Sequence, residues 1–437
     1  MEQILIMVGQ LLLALSILVG VHELGHMLTA KYFGMRVEKY SIGFPPKVFG
    51  FTKGETEYSL GAIPLGGFVK ISGMIDESLD TESLSRPPEP WEFRAKPAWQ
   101  RLIVMIGGIT VNLIVGVVIF ICLTYHYGEE YVTADEVNKR GIVAGELGQE
   151  IGLKTGDKIL KVNGKDYSRF AEVKSPDVLL SDGSYYTVER DGKVFNVYIP
   201  KGFIGKLSSD KQAFIDPIIP FGVENVINGS NADKAGLKSG DEIVAVDTTP
   251  TPYFHQFQQA LAAHKGQAIT LNVKRGGENV LLKAEVDKTG KIGFKPKDLL
   301  PTHTQYFSLG GAAKEGTTEA FAVIINTVRG FGKIFKREIS ASDSISGPIG
   351  IAQQFGGEWV WKRFWFFTGL LSMVLAFMNI LPIPALDGGH VMFLSYEIIT
   401  GRKPSDKFME ISQKIGMVIL LGLMVFAFGN DIYKSFR

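Results

Sequence analysis

The sequence predicts a multi-domain membrane protein. Its α-helical core has four transmembrane helices and a small membrane-associated β-structure, and two similar extracytoplasmic α/β domains are attached to it. Three observations support this fold class. Of 437 residues, 46% are hydrophobic and 21% charged, yet the apolar residues concentrate in four segments that each have the roughly 20 residues needed to cross a bilayer. A ten-residue pattern occurs twice between the second and third segments, and short glycine-rich alternating runs separate the first two.

The four apolar segments cover approximately 3–31, 101–125, 364–386 and 411–430. The first has no basic residue before it and no evident cleavage site, so we expect it to be retained rather than removed as a signal peptide. Lys31, Arg36 and Lys39 follow it, and short cytoplasmic loops are enriched in Lys and Arg. We therefore expect both termini and the long middle segment to be extracytoplasmic.

The first apolar segment contains His22-Glu23-Leu24-Gly25-His26. Histidines four residues apart lie on one face of a helix, where both imidazoles can bind one Zn²⁺ while Glu23 acts as general base. The alternative is that both histidines are polar residues paired inside a helix bundle, but ionisable groups at membrane depth are rare unless they are functional. The spacing predicts a hydrolytic zinc site, with one Zn²⁺ per chain.

Asp387 is the expected third zinc ligand. Strict alternation of the helices gives the first and third the same direction, so their C-terminal ends lie at the same membrane depth. A catalytic zinc site takes three protein ligands and keeps one position open. Pro382 and Pro384 break the third helix and are expected to present Asp387 on irregular backbone. The alternative for Asp387 is an aspartate that only forms a turn.

These motifs resemble the site-2 protease family of intramembrane zinc metalloproteases, and most of all its bacterial regulator-of-sigma-E protease group. The likeness covers His-Glu-x-x-His, the Asn-x-x-Pro-x-Pro-x-Leu-Asp-Gly motif that begins at Asn379, and the segments 93–97, 347–351 and 430–431. The resemblance implies that Glu23 is the catalytic base and that His22, His26 and Asp387 bind zinc. It also implies that Asn379 contacts the substrate or its oxyanion, although a packing hydrogen bond stays open for this amide.

The segment 36–74 alternates in a way typical of strands, with predicted strands at 36–42, 56–63 and 66–72. An open strand edge there could receive an unwound substrate segment by β-augmentation, or the hairpin could simply pack. The resemblance implies a membrane-inserted β-structure, and we expect Gly61, Gly66 and Gly67 among the substrate-binding residues. Residues 75–92, rich in Asp, Glu, Ser and Pro, are predicted to form a mobile cytoplasmic loop.

The middle of the chain contains the internal repeat, since residues 151–160 match residues 235–244. The pattern resembles tandem PDZ domains, predicted at 128–210 and 211–300. These separate the two halves of the membrane catalytic domain, 1–127 and 346–437. In the linker 301–345 an apolar stripe at helical spacing predicts an amphipathic helix that lies on the membrane surface or packs against the PDZ pair. The stripe comprises Phe321, Ile324, Val328, Phe331 and Phe335.

The sequence therefore predicts an intramembrane zinc endopeptidase of the bacterial inner membrane, with its active site towards the cytoplasmic side. Its substrates would be transmembrane segments of single-pass membrane proteins in the lipid bilayer. The resemblance implies an anti-sigma factor already cut by an upstream first-site protease, with signal-peptide remnants as a further class. A non-catalytic membrane-anchored PDZ scaffold or adaptor is the alternative, and a metal transporter is a weaker one.

Three further expectations concern charge, cysteine and the remaining histidines. The formal net charge of +1 and the lack of a basic run with interleaved aromatic residues exclude nucleic acid as a partner. Cys122 is expected to be a small core residue. His390 lies close to Asp387 in sequence and could tune the site, whereas the other histidines are expected to be structural or solvated.

Overall fold

A computed structural model describes residues 2–74, 87–209, 213–340, 342 and 346–436. Most of the predicted loop at 75–92 therefore lies outside the described residues. The helices, in chain order, are α1 (Glu2–Tyr32), α2 (Ala98–Tyr127), α3 (Ala134–Asn138), α4 (Glu146–Glu150), α5 (Pro176–Leu179), α6 (Phe203–Ser209), α7 (Asn231–Lys234), α8 (Phe254–Ala263), α9 (Leu309–Phe335), α10 (Pro348–Phe355), α11 (Trp361–Ile380), α12 (Asp387–Thr400) and α13 (Asp406–Phe436). The strands are β1 (Val37–Lys53), β2 (Thr56–Ile71), β3 (Glu129–Tyr131), β4 (Ile142–Ala144), β5 (Lys158–Val162), β6 (Tyr185–Arg190), β7 (Lys193–Tyr198), β8 (Ile215–Pro217), β9 (Phe221–Val226), β10 (Glu242–Val246), β11 (Thr249–Pro250), β12 (Ala268–Arg275), β13 (Glu278–Glu285), β14 (Phe294–Asp298) and β15 (His303–Gln305).

The chain divides into two compact units, and each is described by itself. The first, called the membrane unit, comprises Met1–Gly128, Tyr306–Phe335 and Ala341–Arg437. The second, called the repeat unit, comprises Glu129–Gln305 and Lys336–Ser340.

Four helices of the membrane unit, α1, α2, α11 and α13, are long and apolar enough to cross a membrane. They coincide with the four predicted segments, which confirms that expectation. The third is shorter than predicted because α11 ends at Ile380 rather than near residue 386. The cause is local, since Pro382 disfavours the helical conformation of Leu381, which adopts φ −62° and ψ 141°.

Helix α9 belongs to the membrane unit and packs against α2 and α11. Its buried residues are small, namely Ala312, Gly316 and Ala320. The predicted apolar stripe is only partly its packing face. Ile324 and Phe331 reach neighbouring helices, but Phe321, Val328 and Phe335 are exposed. Packing between spanning helices favours small residues that let backbones approach, and the large apolar side chains are left outside.

Cys122 is exposed on α2, so the expectation of a small core residue was wrong. The neighbours that are buried on this part of the helix are Phe120 and Thr124. An apolar residue on a membrane-spanning helix needs no protein core around it, because lipid is an equally apolar surrounding.

Strands β1 and β2 form a two-stranded sheet with repeated register shifts. Because both strands bend, Lys39–Ile42 has partners on two sides, Glu57–Leu60 on one and Gly67–Lys70 on the other. The final segment of β2 therefore lies at an edge of the sheet. In the described part of the chain no third strand pairs with that edge.

The repeat unit contains two separate hydrophobic cores, one within residues 137–215 and one within 221–292. In the first half Arg190 binds both carboxylate oxygens of Asp157 at 2.6 Å and the carbonyl oxygen of Gly152 at 2.8 Å. In the second half Arg275 binds both oxygens of Asp241 at 2.7 Å and the carbonyl of Gly236 at 2.8 Å. The sequence repeat is thus also a repeat of one hydrogen-bonded arrangement.

Candidate metal centre and active site

Three predicted ligands from two distant segments converge in the membrane unit. His22 and His26 lie one turn apart on α1, and Asp387 is the first residue of α12. Nε2 of His22 is 3.0 Å and Nε2 of His26 is 3.4 Å from Oδ2 of Asp387. The two Nε2 atoms are 3.2 Å apart. All three atoms lie within 4.8 Å of one another, close enough to hold one metal ion.

These three separations, 3.0, 3.2 and 3.4 Å, are close to those between the ligand atoms of a tetrahedral zinc site. Zn–N and Zn–O bonds are about 2.0–2.2 Å long, so tetrahedral ligand atoms are about 3.3–3.6 Å apart. Oδ2 of Asp387 is buried and has no partner other than the two imidazoles among the described residues. Both histidines are almost fully buried. Two imidazole nitrogens and a carboxylate oxygen brought this close together are suited to a cation.

The ligands line a cavity of about 690 Å³. Glu23 and Val69 also line it. The edge segment of β2, Gly67–Ile71, forms one wall. The cavity therefore places an acidic side chain, the three candidate ligands and an open strand edge around one space.

Only some of the residues predicted to bind substrate line this cavity. Asn379 lines the cavity, and its Nδ2 is 3.4 Å from Nε2 of His22. Gly67 also lines the cavity. Gly61 and Gly66 do not line it, because Gly61 packs against the backbone of Gly43 and Gly66 against the ring of Phe44. Both glycines lie where β1 approaches closely, and their expected contact with substrate stays a prediction.

Asp387 does not lie on irregular backbone, as the sequence had predicted, but begins helix α12. The irregular segment precedes it, at residues 381–386. Within this segment Ala385 has φ +77°, a left-handed conformation that costs a non-glycine residue about 1–2 kcal/mol. This conformation turns the chain from the end of α11 into the first turn of α12 and so aims Asp387 at the two histidines.

His390 follows Asp387 by one turn and lines the same cavity. Its Nε2 is 2.9 Å from Nε2 of Gln413 on α13. It is therefore packed between α12 and α13 and is not among the grouped ligand atoms. The expected role in tuning the site stays a prediction.

Sequence reasoning missed the contribution of α2 to this site. Nδ1 of His26 is 2.8 Å from the carbonyl oxygen of Val104, and the amide of Asn112 is 3.3 Å from Nδ1 of His22. Between them, a β-carbon at Gly108 would lie 2.8 Å from Cε1 and 2.9 Å from Nδ1 of His22. The available signal was Asn112 itself, a polar side chain within an apolar spanning segment, where polar residues are usually functional.

Comparison with known proteins gives consistent results. The family model described as peptidase family M50 matches residues 10–423. A protein of Neisseria meningitidis whose name assigns it to the zinc metalloproteases is 28% identical, over 96% of this chain and 97% of its own. The regulator of sigma E protease of Haemophilus influenzae is 28% identical over 98% of both chains. The protein of the same name in Salmonella typhi is 29% identical over 97% of both.

Proposed function

The chain belongs to peptidase family M50, and from this premise we propose that it cleaves the membrane-spanning segments of single-pass membrane proteins. It is a zinc metalloprotease of the site-2 type and an integral membrane protein. One observation carries the proposal. His22 and His26 lie within α1, a helix apolar enough to cross a membrane, so a peptide bond must reach them within the membrane.

His22, His26 and Asp387 hold the zinc ion in this proposal, and Glu23 is the general base. Bound zinc polarises the scissile carbonyl and lowers the pKa of a water molecule towards about 7. Glu23 accepts the proton of the attacking water and can return it to the leaving amine. The support is geometric, because Glu23 follows His22 in the chain and faces the same cavity.

The edge of β2 is the proposed receiver of the substrate. A transmembrane helix has its backbone hydrogen bonds satisfied internally, so it must be unwound before its peptide bond is attacked. An extended segment can then pair with the free edge at Gly67–Ile71 by β-augmentation. The cavity lining supports this role, since Glu23 and the edge residues Gly67–Ile71 line the same space.

Asn379 is the proposed oxyanion contact. Its amide lies at the rim of the ligand group, 3.4 Å from Nε2 of His22, and faces the cavity. Preorganised donors of this kind stabilise the charge that develops on a carbonyl oxygen. Of the three glycines predicted to bind substrate, Gly67 is retained in the proposal because it alone lines the cavity.

The substrate class extends to an anti-sigma factor truncated by an upstream first-site protease, with signal-peptide remnants as a second class. Relatives named regulator of sigma E protease support the first. We place the protein in the inner membrane, with the repeat unit and both termini extracytoplasmic and the active site towards the cytoplasm. The cations after α1, Lys31, Arg36 and Lys39, support this orientation. The matched Arg–Asp arrangements support a tandem pair of PDZ-like domains.

The test uses the purified full-length protein, as wild type and as Glu23→Gln, reconstituted with a tagged single-pass substrate truncated outside the membrane. Zinc content is measured on the same samples. We expect both proteins to bind zinc and only the wild type to cleave within the membrane segment. Gln has the size of Glu but cannot accept the proton, so the variant isolates the base.

Two outcomes would count against the proposal. Equal inactivity of both proteins across several truncated substrates, with zinc bound, would favour the membrane-anchored PDZ scaffold. Cleavage by Glu23→Gln at the wild-type rate would remove Glu23 from the mechanism.

A further inference from the structure

Helix α2 presents three residues at four-residue spacing, Val104, Gly108 and Asn112, to the two histidines of α1. This spacing puts all three on one face of α2. His22 and His26 share one face of α1 for the same reason. The two faces meet with Val104 beside His26 and Asn112 beside His22, as expected for helices that run in opposite directions.

The Val104 contact determines which nitrogen of His26 carries its proton. A carbonyl oxygen only accepts hydrogen bonds, so Nδ1 of His26 is the donor across the 2.8 Å to Val104. In the neutral ring the lone pair is then on Nε2, the atom that faces Asp387. The ring is thereby prepared to bind a metal through Nε2.

His22 needs the same arrangement, and Asn112 is the side chain beside its Nδ1. Nδ2 of Asn112 lies 3.3 Å from that nitrogen, and the residue is 1% exposed. With Nδ2 facing the ring, Nδ1 is the acceptor and the proton of a neutral ring sits on Nε2, between the three ligand atoms. If Oδ1 faces the ring, it accepts the Nδ1 proton and leaves the Nε2 lone pair free. The two amide orientations have nearly the same shape.

We infer that Asn112 positions His22 for the metal by accepting a hydrogen bond from its Nδ1 through Oδ1. Oδ1 of Asn112 has no hydrogen-bond partner among the described residues, so rotation of the amide by 180° replaces the Nδ2 contact with His22 by an Oδ1 contact and breaks no bond of Oδ1. Metal-ligating histidines generally donate their other N–H to such an acceptor, which fixes the ring and strengthens the ligand. Gly108 leaves the room that both imidazoles need against α2.

Asn112 is thus a positioning residue that acts through His22, whereas Val104 does the same for His26 through its backbone. The inference rests on the zinc ligands assigned in the proposed function. It adds a side chain from α2 to the site. It also predicts that position 112 requires an acceptor oxygen and does not require the amide nitrogen.

The experiment measures zinc affinity by competition with a chelator in the full-length protein, as wild type, Asn112→Leu and Asn112→Asp. The same proteins are loaded with Co²⁺, whose absorption spectrum reports ligand geometry. We expect Asn112→Leu to bind zinc about 10–100-fold more weakly and to change the Co²⁺ spectrum. Asn112→Asp keeps the acceptor oxygen, so its affinity and spectrum should stay close to wild type.

Ser372→Ala is the matched control. The Ser372 hydroxyl is buried and donates to the backbone oxygen of Asn112 at 2.8 Å. Ser372→Ala removes this hydrogen bond between α11 and the backbone of α2 but leaves the Asn112 side chain unchanged. Zinc affinity should therefore stay at the wild-type value. Thermal unfolding of the metal-free proteins shows whether each variant is folded.

The outcomes separate this inference from the proposed function. Wild-type affinity in Asn112→Leu, or an equal loss in Asn112→Asp and Asn112→Leu, would overturn the positioning role. Failure of the wild type itself to bind zinc would overturn the ligand assignment on which the inference rests.

Discussion

Gly416 of α13 lies against the carbonyl oxygen of Pro384, in the segment that leads into Asp387. A β-carbon at position 416 would overlap this oxygen and lie 3.0 Å from Cβ of Pro384. Two residues further along the same segment is Leu386, and then Asp387 begins α12. The last spanning helix therefore supports the backbone that carries the proposed third metal ligand, although none of the candidate ligands in the described residues lies on α13.

Gly416→Ala is expected to weaken the metal site. The added methyl group must move either α13 or the Pro384 backbone, and overpacking of this kind costs about 1–3 kcal/mol. Displacement of Pro384 carries Asp387 away from His22 and His26. We expect a lower melting temperature of the zinc-loaded protein and a weaker zinc affinity, measured by chelator competition.

Gly422→Ala is the control for this prediction, because it is also on α13 but a β-carbon there meets no atom within 4 Å. The control should retain wild-type zinc affinity and stability, or gain stability slightly from the better helix propensity of Ala. Equal behaviour of the two variants would show that α13 does not support the Asp387 segment.

Ala385 offers a second test of how Asp387 is held. Its φ of +77° is easy for glycine and costly for a β-branched residue. Ala385→Gly should preserve zinc affinity. Ala385→Val should relax its backbone by moving the segment 381–386, which displaces Asp387. We expect its zinc affinity to fall about tenfold, which corresponds to about 1.4 kcal/mol of binding free energy. Isothermal titration of the metal-free proteins measures both, and equal affinities for Gly and Val would contradict the strained geometry.

The positions of the three candidate ligands were predictable because their signals are local. Four-residue spacing places His22 and His26 on one helix face whatever surrounds them, and the two prolines before Asp387 end a helix by covalent geometry. The contacts of Val104 and Asn112 were not predictable, because they depend on the register in which α1 and α2 pack. Nothing in either helix alone specifies that register.

Membrane packing explains two differences from the sequence predictions. The apolar stripe with Phe321 and Val328 was expected to lie on the membrane surface or to pack against the PDZ pair. Helix α9 instead packs through Ala312, Gly316 and Ala320 within the membrane unit, because packing against spanning helices favours small residues over large ones. Exposure of Cys122 on α2 follows from the apolar surroundings of a spanning helix, which make a protein core around it unnecessary.

The Arg275–Asp241 pair in the repeat unit provides a prediction independent of the metal. Asp241 is 1% exposed. Burial raises the pKa of its carboxyl, but the hydrogen bonds from Arg275 and the Lys238 backbone outweigh it, and the net pKa is lowered. A carboxyl whose pKa is lower in the folded than in the unfolded protein stabilises the folded state at pH values above the unfolded pKa, near 3.8. This contribution is lost as the pH falls from that value through the lower pKa of the folded state.

Arg275→Met should therefore destabilise the second half of the repeat unit by about 2–3 kcal/mol at pH 7, because it leaves a buried carboxylate without its partner. Hydrogen exchange of β10 and β12 in the full-length protein measures this loss, and the difference from wild type should shrink below about pH 4 as Asp241 takes up a proton. Lys295→Met is the control in the same half, because it breaks the ion pair between Lys295 and Glu224. The two side chains are 69% and 47% exposed, and exposed pairs of this kind contribute about 0–1 kcal/mol. Equal protection in the two variants would mean that the repeated Arg–Asp arrangement adds nothing beyond a surface pair.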